Sequence, residues 1–89
     1  MPLFQSCASR DFWDCYRRLP EEVQRAADKQ FALFEDDPTH PSLHLKPDGG
    51  FWSVRVTDSH RALAAREGNL FFWFWIGSHD GYDRLISGR

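Results

Sequence analysis

The residues best suited to chemistry follow an aromatic run near the end of the chain, FFWFWIGSHDGYDRL from residue 71 to residue 85. Gly77 lets the backbone bend sharply, and His79 comes two residues later. Histidine is the side chain most easily poised for proton transfer near neutral pH. The apolar strand would hold this polar turn rigidly, so His79 is a candidate catalytic residue. The alternative is a surface histidine whose ring bonds to Asp80 or to a backbone carbonyl.

Two arginines could provide an anion-binding pair. Arg55 lies in one predicted strand and Arg61 opens the next, and the short connection over residues 57–60 makes these strands antiparallel. Two guanidinium groups on adjacent strands could bind one phosphate through paired hydrogen bonds. The alternative is a pair of solvated arginines matched by acids such as Asp58.

A further group of candidates lies in the loop-like segment from residue 39 to residue 50. His40 and His44 have a spacing that invites a metal interpretation, but they lie in a loop with prolines, and no carboxylate accompanies them in an HExxH pattern. We therefore expect no metal and no cofactor. A loop that lays His44 and Lys46 against the strand containing Arg55 is the preferred interpretation, and plain solvent exposure is the alternative.

The aromatic side chains also have several possible roles. Trp73 and Trp75 alternate with Phe72 and Phe74, which predicts that both indoles lie on one face of the last strand. They could stack on bases, pack on a partner helix, or meet the protein's own helices. Tyr82 follows the strand end close to His79, and its amphipathic ring makes it a better candidate for stacking on a ligand.

The elements that must position these side chains are an opening strand over residues 2–7, two helices and three strands. Ser9 or Asp11 can cap the first helix, and Pro20 suits the first position of the second. That helix carries the apolar stripe Val23, Ala27, Phe31 and Phe34 and ends before Pro38. Period-two patterns predict strands at Trp52–Val56, Arg61–Arg66 and Leu70–Ile76. The order β-α-α-β-β-β predicts an α+β fold, with a helical hairpin on one face of a small, mainly antiparallel sheet.

Length and composition limit the possible classes of protein. The chain has 89 residues, so we expect one domain spanning residues 1–89. It has no apolar run long enough to cross a membrane and no secretory signal pattern, so we expect a cytoplasmic protein without membrane contact. Two cysteines, Cys7 and Cys15, make neither a disulfide framework nor a zinc site. The net charge of −2 does not by itself indicate nucleic-acid binding.

The second half of the chain resembles toxins of the RelE/ParE superfamily from bacterial type II toxin–antitoxin systems. The segment is HPSLHLKPDGGFWSVRVTDSHRALAAREGNLFFWFWIGSHDGYDRL. Its matching parts are the SLHLK loop, the WSVRV strand, the arginine at 61, and an apolar strand that ends in Gly-Ser-His-Asp with a tyrosine after it. The two preceding helices also fit, so the resemblance covers nearly the whole chain and is greatest to RelE- and YafQ-like mRNA interferases.

The resemblance implies a metal-free endoribonuclease that cleaves mRNA, commonly in the ribosomal A site, and inhibits translation. In this chemistry the 2′-hydroxyl of the RNA attacks the adjacent phosphate. Arg61 matches the arginine that stabilises the transition state, and His79 matches the position of the general acid. Arg55 falls where some members have a catalytic lysine, but a guanidinium does not release its proton near neutral pH. His44, which matches a loop histidine of the YafQ branch, is therefore the substitute base.

The resemblance also implies substrate contacts and a protein partner. Tyr82 matches an aromatic residue that orients or stacks the substrate, while Lys46 and Ser53 are further candidates for substrate binding. A cognate antitoxin is expected to hold the toxin inactive, and mRNA is the expected target. Two alternatives stay open: a ParE-like inhibitor of DNA gyrase that performs no catalysis, and an attenuated interaction domain with the toxin fold.

Overall fold

The computed structural model describes residues 5–48 and 50–87. Its elements in chain order are β1 (Gln5–Ala8), α1 (Arg10–Arg17), α2 (Glu21–Asp36), a 3-10 turn (Pro41–Leu43), β2 (Lys46–Asp48), β3 (Phe51–Thr57), β4 (His60–Glu67), β5 (Leu70–Ser78) and α3 (His79–Ser87). The predicted α+β fold and its β-α-α-β-β-β order are confirmed. No pattern in the sequence predicted β2 or α3, and residues 2–4 of the predicted opening strand lie outside the described residues.

The sheet has five strands in the order β1-β5-β4-β3-β2. β1 pairs with β5 in parallel, and the other neighbouring strands are antiparallel. β5 therefore lies inside the sheet, which is consistent with its largely apolar sequence. β2 contains Pro47, and a proline is tolerated there because β2 is an edge strand.

The helical hairpin forms where the sequence predicted it. The hydroxyl of Ser9 caps α1 by accepting a hydrogen bond from the backbone N–H of Phe12 at 3.2 Å. α2 begins at Glu21, one residue later than predicted, and ends at Asp36, just before the Asp37-Pro38 pair. Its acidic first turn suits the positive end of the helix dipole.

The core lies between this hairpin and one face of the sheet. Trp73 of β5 is 2% exposed, and its ring packs edge-on against Phe31 and Phe34 of α2, with centroids 5.1 Å and 5.3 Å away. Phe71 also meets Phe34, at 5.1 Å. Burying each of these aromatic side chains removes about 150–250 Å² from water, so they are the main support for the sheet.

A β-bulge in β5 overturns the prediction that both indoles share one face. Trp73 pairs with Ala64 and Trp75 pairs with Leu63, so Phe74 is an extra residue in β5. The bulge reverses the alternation: Trp73 faces the helical hairpin, whereas Trp75 lies on the opposite face, close to Gly77 and Gly81. In the described part of the chain, no helix is both long and apolar enough to span a membrane.

Candidate active site

Strand register brings the two arginines together. Arg55 of β3 is the direct partner of Arg61 in β4, and Arg61 is the direct partner of Gly77 in β5. Directly paired residues in an antiparallel sheet project from the same face. This is the face opposite the helical hairpin, because Val54 and Ala62, the neighbours of the two arginines, belong to the core. The predicted placement of the arginines on adjacent antiparallel strands is therefore confirmed.

Both guanidinium groups turn toward the connection between β3 and β4. Nη1 of Arg61 donates to the carbonyl oxygens of Thr57 at 3.2 Å and His60 at 3.3 Å. Nη2 of Arg55 forms an ion pair with Asp58 in the same connection, as the sequence had offered as an alternative. The cationic groups thus gather at one end of the sheet.

The electrostatic environment of Arg61 is unusual for an arginine. Partial burial lowers its pKa, the positive charge of Arg55 lowers it further, and the negative charge of Asp83 opposes this decrease. Because the pKa of a guanidinium group lies far above neutral pH, Arg61 stays protonated despite this decrease. Arg61 is therefore a permanent cation that has lost part of its water shell and has another cation beside it, which favours binding of an anion.

His79 lies at the same end of the sheet, but not in the turn that the sequence predicted. β5 continues to Ser78, and His79 is the first residue of α3. Its backbone N–H donates to the carbonyl oxygen of Ser59 at 2.7 Å, which fixes the start of α3 to the β3–β4 connection. Nδ1 of the ring lies 3.1 Å from Oδ2 of Asp83, and not beside Asp80. A proton on Nδ1 would be shared with this carboxylate, which leaves Nε2 for a ligand.

Asp83 is a site residue that the sequence analysis missed. It is four residues after His79, and this spacing places two side chains on the same side of a helix. This spacing can be read from the sequence, but it indicates a contact only where a helix is predicted. The negative charge of Asp83 raises the pKa of Arg61, and its carboxylate contacts the ring of His79. Asp83 therefore connects the arginines with the imidazole.

Gly77 allows a close approach of the Trp75 ring that no sequence pattern predicted. A Cβ atom at this position would lie 2.6 Å from Cζ2 of Trp75, too close for a real contact. The indole of Trp75 also lies near Gly81 of α3. Trp75 therefore fills the space between β5 and the first turn of α3, and the absence of a side chain at Gly77 lets it do so.

His44 reaches the arginine pair from the loop. It has a left-handed backbone (φ 49°) after the 3-10 turn, and its Nε2 lies 3.3 Å from Nη1 of Arg55. Since a guanidinium can only donate, Nε2 must accept and is unprotonated in this contact. His40 is engaged elsewhere, because its Nδ1 accepts from the backbone N–H of Ser42 at 3.2 Å. A cation already beside His44 makes a metal site shared by the two histidines unfavourable.

The remaining candidates are less accessible. Tyr82 is 6% exposed, its ring centroid lies 5.5 Å from that of His79, and its hydroxyl is buried without a hydrogen-bond partner among the described residues. The ring therefore supports His79 in this structure and does not offer a free stacking face. Ser53 is 1% exposed, directly opposite the exposed Lys46. Its burial keeps the Ser53 hydroxyl from a substrate in this structure, so the predicted role of Ser53 in substrate binding is not supported. A role for Lys46 stays a prediction.

Comparisons with known proteins agree with the resemblance in fold. No family model and no curated protein matches the chain. Among solved structures, YafQ from E. coli matches with a TM-score of 0.70 at 10% identity, over 89% of this chain and 97% of that one. The RelBE2 toxin–antitoxin complex of Mycobacterium tuberculosis gives 0.69 at 15% identity, over 89% and 100% of the two chains. A YoeB/ParE toxin from Agrobacterium tumefaciens gives 0.65 at 18%, over 85% and 99%. The chain has the fold of RelE/ParE-type toxins.

Proposed function

We propose that this chain is the toxin of a toxin–antitoxin pair and cleaves RNA by an attack of the 2′-hydroxyl on the adjacent phosphate. The observation that supports this proposal best is the placement of Arg55, Arg61 and His79 at one end of the sheet, around the β3–β4 connection. A pair of fixed cations with a proton donor beside them suits a phosphate that gains negative charge in the transition state.

In the proposed reaction, His44 removes the proton of the 2′-hydroxyl, and the 2′-oxygen forms a bond to phosphorus. Arg61 stabilises the charge that develops on the non-bridging oxygens, with Arg55 beside it. The bond from phosphorus to the 5′-oxygen breaks, and His79 donates a proton to that oxygen. The products are a 2′,3′-cyclic phosphate and a 5′-hydroxyl, so all atoms and protons are accounted for.

His44 can take the role of base after a change of contacts. Its Nε2 lone pair accepts from Arg55 in the free protein, and a bound phosphate would compete for that guanidinium. Catalytic hydrogen bonds often form only when substrate is present, so the free geometry is compatible with this role.

An antitoxin is the proposed protein partner. Solved structures with the same fold include complexes described as RelBE toxin–antitoxin pairs. We infer that this chain is likewise held inactive by a co-expressed protein. The cytoplasm, where translation takes place, is the proposed location.

Mapping the ends of cleaved RNA tests the proposal. The purified protein is incubated with free RNA and with mRNA in a translation extract, and the termini are identified. We expect a cyclic phosphate and a 5′-hydroxyl in at least one of the two reactions. His79→Ala and Arg61→Ala should lower cleavage by about 10²–10³-fold, the usual cost of removing one group that acts in the transition state. His40→Ala, a histidine outside the site, is the matched control and should cleave normally.

The competing function is inhibition of DNA gyrase without catalysis. The net charge of −2 favours it, because proteins that bind RNA usually gain affinity by neutralising phosphates. In that case the wild-type protein would leave RNA intact in both reactions and would inhibit gyrase-dependent supercoiling, with His79→Ala as active as the wild type.

A further inference from the structure

A second positively charged surface adjoins the active site on the side of α2. A hollow opens there between α2, the 3-10 turn and β3, and its wall includes Lys29, His44, Arg55 and Asp58. Lys29 was not among the residues that the sequence analysis singled out. It belongs to the exposed side of α2, and the fold alone brings it opposite the loop that carries His44.

The charges around the hollow favour an anion. Lys29 and Arg55 are positive, and Asp58 is the only acidic residue in the described wall. Asp58 is already paired with Arg55. The ammonium group of Lys29 forms no ion pair within the described residues, so its charge is available to a ligand. The balance of these three side chains is one positive charge, before any contribution from His44.

The hollow is held open by a buried side chain. Gln30 is 9% exposed, and its Nε2 donates to the carbonyl oxygens of Ser42 at 3.1 Å and Arg55 at 2.8 Å. One amide therefore ties α2 both to the loop and to β3. Because Lys29 is the neighbour of Gln30, its backbone is fixed relative to Arg55 and to the residues next to His44.

Arg55 connects this hollow to the active site. Its backbone partner across the sheet is Arg61, while its guanidinium lies 3.3 Å from His44 in the wall of the hollow. A chain of phosphates that places one group beside Arg61 would therefore reach the hollow by passing over Arg55.

We propose that the hollow is a second phosphate-binding site, which holds the phosphodiester next to the one that is cleaved, with Lys29 as its principal cation. This proposal rests on the proposed ribonuclease function. It makes the substrate a strand of at least three nucleotides, whose backbone runs from the β3–β4 connection toward α2. Lys29 has no part in the bond changes, so it should contribute to binding and not to the chemical step.

The test compares short RNA strands that cannot be cleaved because each 2′-hydroxyl is methylated. A dinucleotide has one phosphodiester and a tetranucleotide has three, and binding of each is measured by fluorescence anisotropy over a range of salt concentrations. Lys29→Gln should weaken tetranucleotide binding about 3–10-fold and reduce the slope of log affinity against log salt by about 0.7, the value for one phosphate contact with a single strand. Binding of the dinucleotide should not change.

Arg18→Gln is the matched control, since it removes one positive charge at the end of α1, away from the hollow. If Lys29→Gln and Arg18→Gln affect both strands equally, the second site is disproved. Inorganic phosphate separates this outcome from a failure of the proposed function. In wild-type protein it should shift the NMR signals of the Gln30 side-chain amide, which lies in the hollow, and Lys29→Gln should abolish these shifts. If phosphate causes these shifts in a protein that binds no RNA, the anion site is supported but the ribonuclease function is not. If phosphate causes no shifts in the wild type, the anion site is disproved.

Discussion

Arg55 and Arg61 face each other directly across β3 and β4, so two permanent positive charges occupy one cross-strand pair. Like charges in this position destabilise a sheet by about 0.2–1 kcal/mol, and the partial burial of Arg61 adds to the cost. Asp58 offsets the charge of Arg55, and the negative charge of Asp83 opposes the decrease in the pKa of Arg61. The arrangement is better explained by a bound anion than by the stability of the free protein.

Phosphate should therefore stabilise the folded protein through this arginine pair. Binding to the folded state raises the melting temperature, because a ligand that prefers the folded state shifts the unfolding equilibrium. We expect phosphate to raise the melting temperature of the wild type more than that of Arg61→Gln, at matched ionic strength. Thermal denaturation in phosphate and in chloride measures the difference. Arg18→Gln should respond like the wild type, and an equal response of all three proteins would contradict anion binding at Arg61.

Asp83 should act by orienting the imidazole of His79. Without its carboxylate, Nδ1 of His79 loses its partner at 3.1 Å and the ring becomes free to rotate. We expect Asp83→Ala to lower RNA cleavage about 10-fold, the order of effect found when the partner that orients a metal-ligating histidine is removed. Asp83→Asn keeps a hydrogen-bonding group beside Nδ1 and should lose less activity than Asp83→Ala.

Nitrogen chemical shifts of the His79 ring provide a check that does not depend on cleavage. Asp83→Asn should keep Nδ1 in a hydrogen bond, either to the amide oxygen or from the amide nitrogen, whereas Asp83→Ala should leave Nδ1 without this partner. If Ala and Asn at position 83 give the same ring shifts and the same cleavage rate, Asp83 has no orienting role.

Much of this architecture could be predicted from the sequence, because its helices and strands have clear periods. The helical hairpin followed from the apolar stripe of α2, and the arginine pair followed from the short connection between β3 and β4. Two features had no such pattern. In the run from Phe71 to Trp75 every residue is a large aromatic, so the bulge at Phe74 leaves no trace in the periodicity.

The helix α3 was also not predicted by any pattern in the sequence. Its first turn contains Gly81, a poor helix former, and its start follows a strand without an intervening loop. Tertiary packing overrides this weak propensity, because α3 covers Trp75 and buries Tyr82. Asp83 contacts His79 because both residues lie on this helix. Without a predicted helix, Asp83 could not be recognised as a member of the site.

Gly77 should be required for both stability and placement of His79. In Gly77→Ala the new Cβ would lie 2.6 Å from the indole of Trp75, which must move toward α3. We expect a loss of about 1–3 kcal/mol in the free energy of unfolding, the usual cost of overpacking, together with reduced RNA cleavage at temperatures where the variant is folded. Urea denaturation and a cleavage assay measure the two effects.

Gly68→Ala is the control for this substitution. Gly68 has a φ of +60° and open space around its Cβ position, so alanine there costs about 1–2 kcal/mol of backbone strain without a clash. It lies in the β4–β5 turn, at the end of the sheet away from His79. Cleavage by folded Gly68→Ala should be normal. A normal rate for Gly77→Ala as well would show that the position of His79 does not depend on Trp75.

The hydrogen bond between Tyr16 and Asp28 should make stability depend on pH in the alkaline range. The hydroxyl of Tyr16 in α1 donates to Oδ1 of Asp28 in α2 at 2.7 Å. This bond raises the pKa of Tyr16 above its ordinary value, with smaller contributions from burial and from the charge of Asp28. Because the folded pKa exceeds the unfolded one, the contribution to stability is complete below the unfolded pKa of about 10 and is lost as pH rises through the folded value.

Tyr16→Phe should therefore lower the free energy of unfolding by about 0.5–1.5 kcal/mol at neutral pH, the usual net value of one hydrogen bond. The difference from the wild type should shrink as the pH rises above about 10. Urea denaturation across this range measures it. Tyr82→Phe is the control at neutral pH, where it should cost less than Tyr16→Phe because the Tyr82 hydroxyl has no partner among the described residues. A difference between Tyr16→Phe and the wild type that stays constant into the alkaline range would show that the bond to Asp28 does not stabilise the helical hairpin.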